Sequence, residues 1–372
     1  MATEPGSRER PRRSRPNIND VARHAGVSRA TASRVLGGYG YSSQEVVERV
    51  NQAVRELGYE PDRIARTMRS GKSGVIGFVC ADISDAFFAS AMRGICDVAR
   101  REKSQVIVMN TDNQLSQEQD ATRVLLSHKV DGIVITPVSV REHGHIDAVT
   151  EGGVPVVSLD RQLSDSGIHS VVADNEAATT AAIDHLIGLG HRRIAFLGST
   201  QPEEPPALRI GRTRASVAGP SRPSLDRVRG YLRALSAAAI PADRDLIALV
   251  SLEEPERRLE ALAAMLALEH PPTALFTADG TMTKSAFHLL SERGVAIPAE
   301  MSLLGFDDLD WTTLVRPRIS VVVQSSYDMG RAAAEELFAQ MGRPAGEGGN
   351  GQGRRTVVPT RFLERESVGV AR

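Results

Sequence analysis

From Gly74 onward the sequence alternates apolar, β-rich runs with spacers, many of them long enough for a crossover helix. The runs are GVIGFVCAD, QVIVMNTD, VDGIVITP, VPVVSLDR, SVVAD, RRIAFLGS, TALFTAD, MSLLGFDD and ISVVVQ. Neighbouring parallel strands need such crossovers, and unbroken apolar runs mark strands buried on both faces. The expected fold class is therefore α/β with parallel sheets, with helices over Thr179–Leu189 and Met282–Arg293 among the crossovers. So many strands over about 270 residues predict two sheets, hence two lobes. Two stretches read as loops: Gln201–Pro223, rich in Pro, Arg and Ser, and Gly342–Gly353 with its GEGGNGQG run.

The chain ahead of this body differs in charge. Residues 1–72 carry 14 Lys and Arg against 8 Asp and Glu, whereas the remainder carries 31 against 38. A basic head on an acidic body predicts a polyanion as the head's partner. Arginines at positions 8, 10, 12, 13 and 15 supply much of the excess, and residues 1–16, without periodicity, read as a disordered tail.

Three short helical patterns follow, at about 18–25, 28–36 and 43–57. In the third, Ser42 and Glu45 have capping-box spacing, Val46, Val47, Val50, Val54 and Leu57 trace one face, and Gly58 is a stop signal. Ala22 and Ala25 are small enough for a close helix crossing, Gly26 suits a positive φ, and Val27 can plug the turn. Ser28 suits an N-cap, which puts Arg29, Ala30 and Thr31 in the next helix's first turn. The pattern predicts a helix-turn-helix, a motif whose second helix enters the major groove of DNA.

Other classes are disfavoured. Cys80 and Cys96 lie in apolar segments and read as two buried thiols of a reducing cytoplasm, not a disulfide or metal site. No run of about 18 apolar residues predicts a membrane span, and the arginine-rich start lacks the apolar core of a secretory signal. No Ser-His-Asp order, phosphate loop, GxGxxG or zinc spacing stands out, so neither an enzyme nor a cofactor is expected. His143 and His145 read as a solvated loop pair, and His191 as a cation at a helix end. In the body, Asp82, Thr136, Asp160, Asp279 and Asp307 all stand at the carboxyl end of an apolar run, where open α/β sheets bind ligands. Two such lobes would enclose a cleft. The alternative is that each Asp caps the following helix, the preferred reading for Asp82.

The ordered set NINDVARHAGVSRATASRVL, RELGYEPDRIARTMRSG, GVIGFV, DISDAFF, VDGIVI, VPVVSLDR, DHLIGLGHRRIAFLG, GFDD and RFLERES resembles the lactose-repressor family of bacterial transcription regulators. The likeness covers nearly the whole chain after Pro16. It implies an all-α helix-turn-helix domain over residues 17–60, a hinge helix and linker over 61–73, and a two-lobed periplasmic-binding-protein-like α/β domain over 74–372. A homodimer on a pseudo-palindromic DNA operator is implied, with a small sugar or polyol effector between the lobes. A sugar-binding receptor without gene regulation is the rival reading.

Carried over residue by residue, Arg29 would take a guanine and Ala30 a thymine methyl, while Arg34 would contact a base or a phosphate, or stand as a surface cation. Ser28, Thr31 and Ser33 complete the DNA side. In the hinge, Met68 takes the place of the usual wedge leucine, and Ala65 lets two hinge helices pack closely. The effector residues implied are Phe87 and Phe88 as the aromatic pair, Asp160 with Arg161, Arg227, Asp307, Gln324 and the variable position Thr136. Phe87 as core is the alternative, and the long 201–223 insertion leaves Arg227 and Arg229 both open as the inward arginine. Two departures stand out: Asp85 and Asp279 replace asparagines usual in the family. Each exchanges an amide for a carboxylate that only accepts, which favours a neutral polyhydroxyl ligand or one bearing an amine over an acidic or phosphorylated sugar.

Overall fold

The structure, a computed structural model, describes residues 16–37, 40–59, 72–200, 207–211, 215–342 and 353–372. The hinge residues Ala65 and Met68 lie outside them. The chain divides into two compact units, one up to Gly74 and one from Val75.

The first unit holds helices α1 (Ile18–His24), α2 (Arg29–Gly37) and α3 (Gln44–Leu57). Their core is Val21, Ala25, Val50, Ala53 and Tyr59, with Val27 and Val35 packed around it. Asn17 caps α1 and Asp20 closes the capping box. Gly26 takes φ +63 at the turn, and the Thr31 N–H donates to Ser28 Oγ at 3.1 Å, the expected N-cap of α2. The expected Ser42–Glu45 box does not form: Ser43 is the N-cap residue of α3 and its side chain makes no cap bond. Gly58, at φ +60, ends that helix as predicted.

The second unit has two lobes. The N-lobe runs through β1 (Val75–Cys80), α4 (Ala86–Arg101), β2 (Gln105–Asn110), α5 (Leu115–Ser127), β3 (Gly132–Ile135), α6 (Gly144–Glu151), β4 (Val156–Leu159) and β5 (His169–Ala173). The C-lobe follows with α7 (Asn175–Gly188), β6 (Ile194–Thr200), β7 (Ala207–Ile210), β8 (Ala215–Ala218), α8 (Pro223–Ala237), β9 (Ile247–Ser251) and α9 (Pro255–Leu266). It continues with β10 (Ala274–Thr277), α10 (Gly280–Glu292), β11 (Ser302–Phe306), α11 (Trp311–Leu314) and β12 (Ser320–Val323). The chain then returns to the N-lobe for α12 (Ser326–Met341) and β13 (Arg355–Val358) before β14 (Arg361–Leu363) rejoins the C-lobe.

The N-lobe sheet has order β13-β5-β4-β3-β1-β2 and is all parallel. The C-lobe sheet, β14-β12-β11-β10-β6-β9, is parallel except for its edge strand β14. All nine apolar runs form strands of these sheets. The chain crosses between lobes three times, and the Thr360 N–H donates to Asp174 Oδ1 at 2.8 Å, tying the first crossover to the third. Helices α4 and α12 pack so closely that a Cβ on Gly330 would strike the Ala91 carbonyl, and one on Gly94 the Tyr327 carbonyl.

Several expectations need correction. The stretch 201–223 is not only a loop: it contains the antiparallel β7–β8 hairpin, anchored by Val217 in the C-lobe core. Its strands are four residues each and set among Pro and Arg, too short to show an alternating signal. His143 and His145 are structural rather than solvated. His143 is buried between the Asp147 carboxylate and the Ser164 carbonyl, both at 2.8 Å, and His145 sits 2.8 Å from the buried Glu118 carboxylate. His191 is no helix-end cation. It is 2% exposed, lies between the Thr273 hydroxyl and the Gly369 carbonyl, and burial lowers its pKa, which favours the neutral ring. Of the two thiols, Cys80 is buried and Cys96 only half-buried.

Candidate functional site: the reading helix and the interlobe cleft

On the first unit, α2 offers a polar face. Arg29, Ala30 and Arg34 are exposed, and Thr31 and Ser33 are half-buried. Ser28 Oγ lies 2.9 Å from Thr31 Oγ1, so these two hydroxyls hold each other while capping the helix. The Arg34 stem runs against the backbone at Gly40, where an added Cβ would meet it. From behind, α1 and α3 are clamped by His24 Nε2 and Glu56 Oε2 at 2.6 Å. Small residues within and a cationic helix start without is the arrangement a DNA major groove accepts.

On the second unit, the strand ends of the two lobes repeat one device. Asp160 after β4 and Asp307 after β11 both have positive φ, at 68° and 74°. Each N–H donates at 2.8 Å to the next strand of its sheet, Asp160 to the Val171 carbonyl and Asp307 to that of Val322. The tight bend aims each carboxylate off the strand's end, where ligands of such sheets sit. The two lobes sense each other there. Burial raises the pKa of Asp160, Arg161 and the C-lobe's Arg227 pull it back, and Asp307 raises it.

Asp85 and Asp279 are both helix N-caps. Asp85 Oδ1 accepts from the Phe87 N–H and Asp279 Oδ1 from the Met282 N–H, each at 2.8 Å. Capping and facing the opposite lobe are compatible roles, and Asp85 shows both. Its side chain is open to the cleft, yet crowding by protein atoms pushes its carboxyl up to about 6, and Asp307, Asp279 and Asp82 add to the shift. Burial raises Asp279 too, while Arg227 and the Ser199 hydroxyl favour its charged form. Asp82 bonds the Ser84 backbone and hydroxyl, a local turn, as preferred.

The choice between two arginines closes on Arg227, which is 5% exposed. Its Nε donates to Asn175 Oδ1 at 2.9 Å, its Nη1 to the Ala278 carbonyl, and its guanidinium lies 3.8 Å from the Phe306 ring centroid. Arg229 pairs instead with Asp226 and the Gly219 carbonyl. Gln324 donates to Asp307 Oδ1 at 2.7 Å.

Two expected ligand contacts are otherwise engaged. Phe88 belongs to the N-lobe core, at 7% exposure, because it faces inward on α4 while half-buried Phe87 meets it edge-on at 5.1 Å. Arg161 donates to the Pro137 and Val138 carbonyls and to Asn113 Oδ1, so its guanidinium fastens the loop after β3. Thr136 is fully buried at the end of β3, with no hydrogen-bond partner for its Oγ1.

Residues 17–62 match the bacterial regulatory proteins of the lacI family, and residues 183–368 match a periplasmic binding protein-like domain. Catabolite control protein A of Priestia megaterium is 33% identical over 326 residues, covering 88% of this chain and 92% of its own. The chain belongs to the lacI family. This lacI-family protein is a DNA-binding transcriptional regulator, and its relatives are regulators rather than enzymes. The regulator PtxS of Pseudomonas aeruginosa is 31% identical over 360 residues, covering 96% of this chain and 97% of that one. A lac repressor dimer solved on operator with an anti-inducer shares its fold at TM-score 0.78 and 22% identity, over 96% of this chain and all of that one. The CelR–cellobiose complex is similar at TM-score 0.66 and 25% identity, over 95% of this chain and 100% of that one.

In this lacI-family regulator, sequence reading missed Asn175 and Asn113, the two amides that hold Arg227 and Arg161. Both stand just past the carboxyl end of an apolar run, Asn113 after QVIVMNTD and Asn175 after SVVAD, so the strand-end signal that marked the aspartates could have found them. Among the described residues, no helix is long and apolar enough to cross a membrane.

Proposed function

We propose that the protein is a cytoplasmic repressor that binds a two-fold symmetric operator as a homodimer and is controlled by a small sugar-like effector held between its lobes. The reading is carried by one observation: Asp160 of one lobe and Asp307 of the other occupy the same left-handed bend at the end of a central strand, each N–H tied to the neighbouring strand. A ligand bridging those strand ends stabilises one lobe arrangement over another, and DNA affinity changes by that difference alone. Half-buried Phe87 is the ring available to pack on sugar C–H groups, with Gln324 and the carboxylates taking hydroxyl protons. The carboxylate majority disfavours acidic and phosphorylated ligands.

At the DNA, Arg29 reads a guanine, Ala30 meets a thymine methyl, and Ser28, Thr31 and Ser33 meet phosphates. Arg34, exposed on the same helix, contacts a base or a phosphate. Selection of bound fragments from random duplex DNA, at near-physiological salt and without added sugar, tests the reading. A two-fold symmetric site is expected. Binding that is salt-sensitive but indifferent to sequence, even after mixed sugars are added, overturns it.

A further inference from the structure

Three adjacent strands of the C-lobe sheet, β10, β11 and β12, lead into Asp279, Asp307 and Gln324. One N–H of the Gln324 amide is already committed. Asp307 accepts from the Gln324 amide through Oδ1 and from the Gly280 N–H through Oδ2 at 3.3 Å. Asp279 Oδ1 caps α10. What is left over is acceptor oxygen: Asp279 Oδ2 and Gln324 Oε1 are both buried with no hydrogen-bond partner. Ser199 is near enough to favour the charged form of Asp279 but forms no hydrogen bond of ordinary geometry with Oδ2. Buried acceptors without donors are costly, so this corner of the cleft calls for a group rich in N–H or O–H.

The carboxylate at position 279 sharpens the demand. Asn and Asp cap a helix equally well through one oxygen. With Oδ1 fixed by the Met282 N–H, an asparagine here would present an NH2 donor as its second atom, whereas the carboxylate presents an acceptor. The hydrogen bonds of the nearby arginines run elsewhere, from Arg227 to Asn175 and the Ala278 carbonyl and from Arg161 to the loop after β3, although the Arg227 charge still favours the ionised form of Asp279. Among the described residues no three His, Cys, Asp or Glu side chains gather as a metal ion would require.

Resting on the effector reading above, we propose that the effector presents a protonated amine to Asp279, Asp307 and Gln324, and is an amino sugar. An ammonium brings three donors and no acceptor, which suits a corner whose two unpartnered buried atoms are both acceptors beside the Asp307 carboxyl group. A hydroxyl brings one donor, and its lone pairs then face the carboxylates.

Titration calorimetry on the full chain at about pH 6.5, below the ordinary range of a primary amine, tests the assignment. The probes are D-glucosamine, D-galactosamine and D-mannosamine, each beside its parent hexose and its N-acetyl derivative. One amine is expected to bind about tenfold or more tightly than both neutral counterparts, as a charge-assisted contact implies. Asp279→Asn keeps the helix cap, so the variant folds, and it should erase that preference. A hexose or N-acetyl sugar that binds as tightly as the amine overturns the proposal. So does a preference that survives Asp279→Asn, or the failure of every amine to bind. Operator selection is run without sugar, so its outcome separates failure of this proposal from failure of the regulator reading.

Discussion

Asp85 couples the cleft to pH. Its carboxyl stands at about 6 against an ordinary 3.8, so the folded chain holds that proton more tightly than the unfolded chain does. The stabilisation this gives is fully present below the ordinary value and is lost as pH rises through about 6. Asp85→Asn keeps an acceptor for the Phe87 N–H and abolishes the titration. Between about pH 4 and about pH 7 its urea-unfolding free energy should therefore fall less than that of the native chain; identical falls would count against the shifted carboxyl. Arg227→Ala should cost about 2–4 kcal/mol by the same measurement, because it strips Asn175 and the Phe306 ring of their cation in a buried site. Arg229→Ala should cost less than Arg227→Ala, because its partner Asp226 lies three residues away on the same helix and keeps the Ser221 hydroxyl as a donor. Asp160, Asp279 and Asp307 were legible in the sequence because each follows an apolar run, and a strand's end is fixed by topology. Asp85, beyond the turn after β1, came only with the family resemblance. The destinations of Phe88 and Arg161 were not, because a side chain's direction at a helix start or loop depends on partners far away in sequence. Asn113 lies 48 residues from Arg161, and Asn175 lies 52 from Arg227.

At the scale of elements, local chemistry decides the ends and packing decides the rest. Ser28→Ala removes the acceptor for the Thr31 N–H and should lower helix-turn-helix stability by about 1 kcal/mol, read from thermal melts followed by circular dichroism. Gly330→Ala would drive a methyl into the Ala91 carbonyl, forcing α12 away from α4 at a cost of about 1–3 kcal/mol in the same melts. An unchanged midpoint would mean the helices separate freely. The nine apolar runs were readable as strands because parallel strands buried on both faces need no polar alternation. Strands β9, β13 and β14 escaped because they are edge or near-edge strands with mixed exposure, and the hairpin β7–β8 because its hydrophobic anchor is the single buried Val217. The Ser42 cap failed for a local reason: the helix begins one residue later, so the box spacing is lost.

For the whole molecule, electrostatics separate the two tasks. A head with an excess of arginine joined to an acidic body predicts operator binding that weakens steeply with salt, while sugar binding changes little. Measured across about 50 to 200 mM salt, the operator constant should fall by orders of magnitude, and Arg29→Ala should flatten base preference at one position of each half-site more than it changes that slope.

The three crossovers carry a consequence for synthesis. The N-lobe's first strand leaves the ribosome early, but its central helix partner α12 and its closing strand β13 emerge only after most of the C-lobe. The DNA-reading helices, with a core of their own, are complete long before either lobe. A stalled nascent chain would thus carry a finished reader and an unfinished sensor: able to find DNA, deaf to its signal.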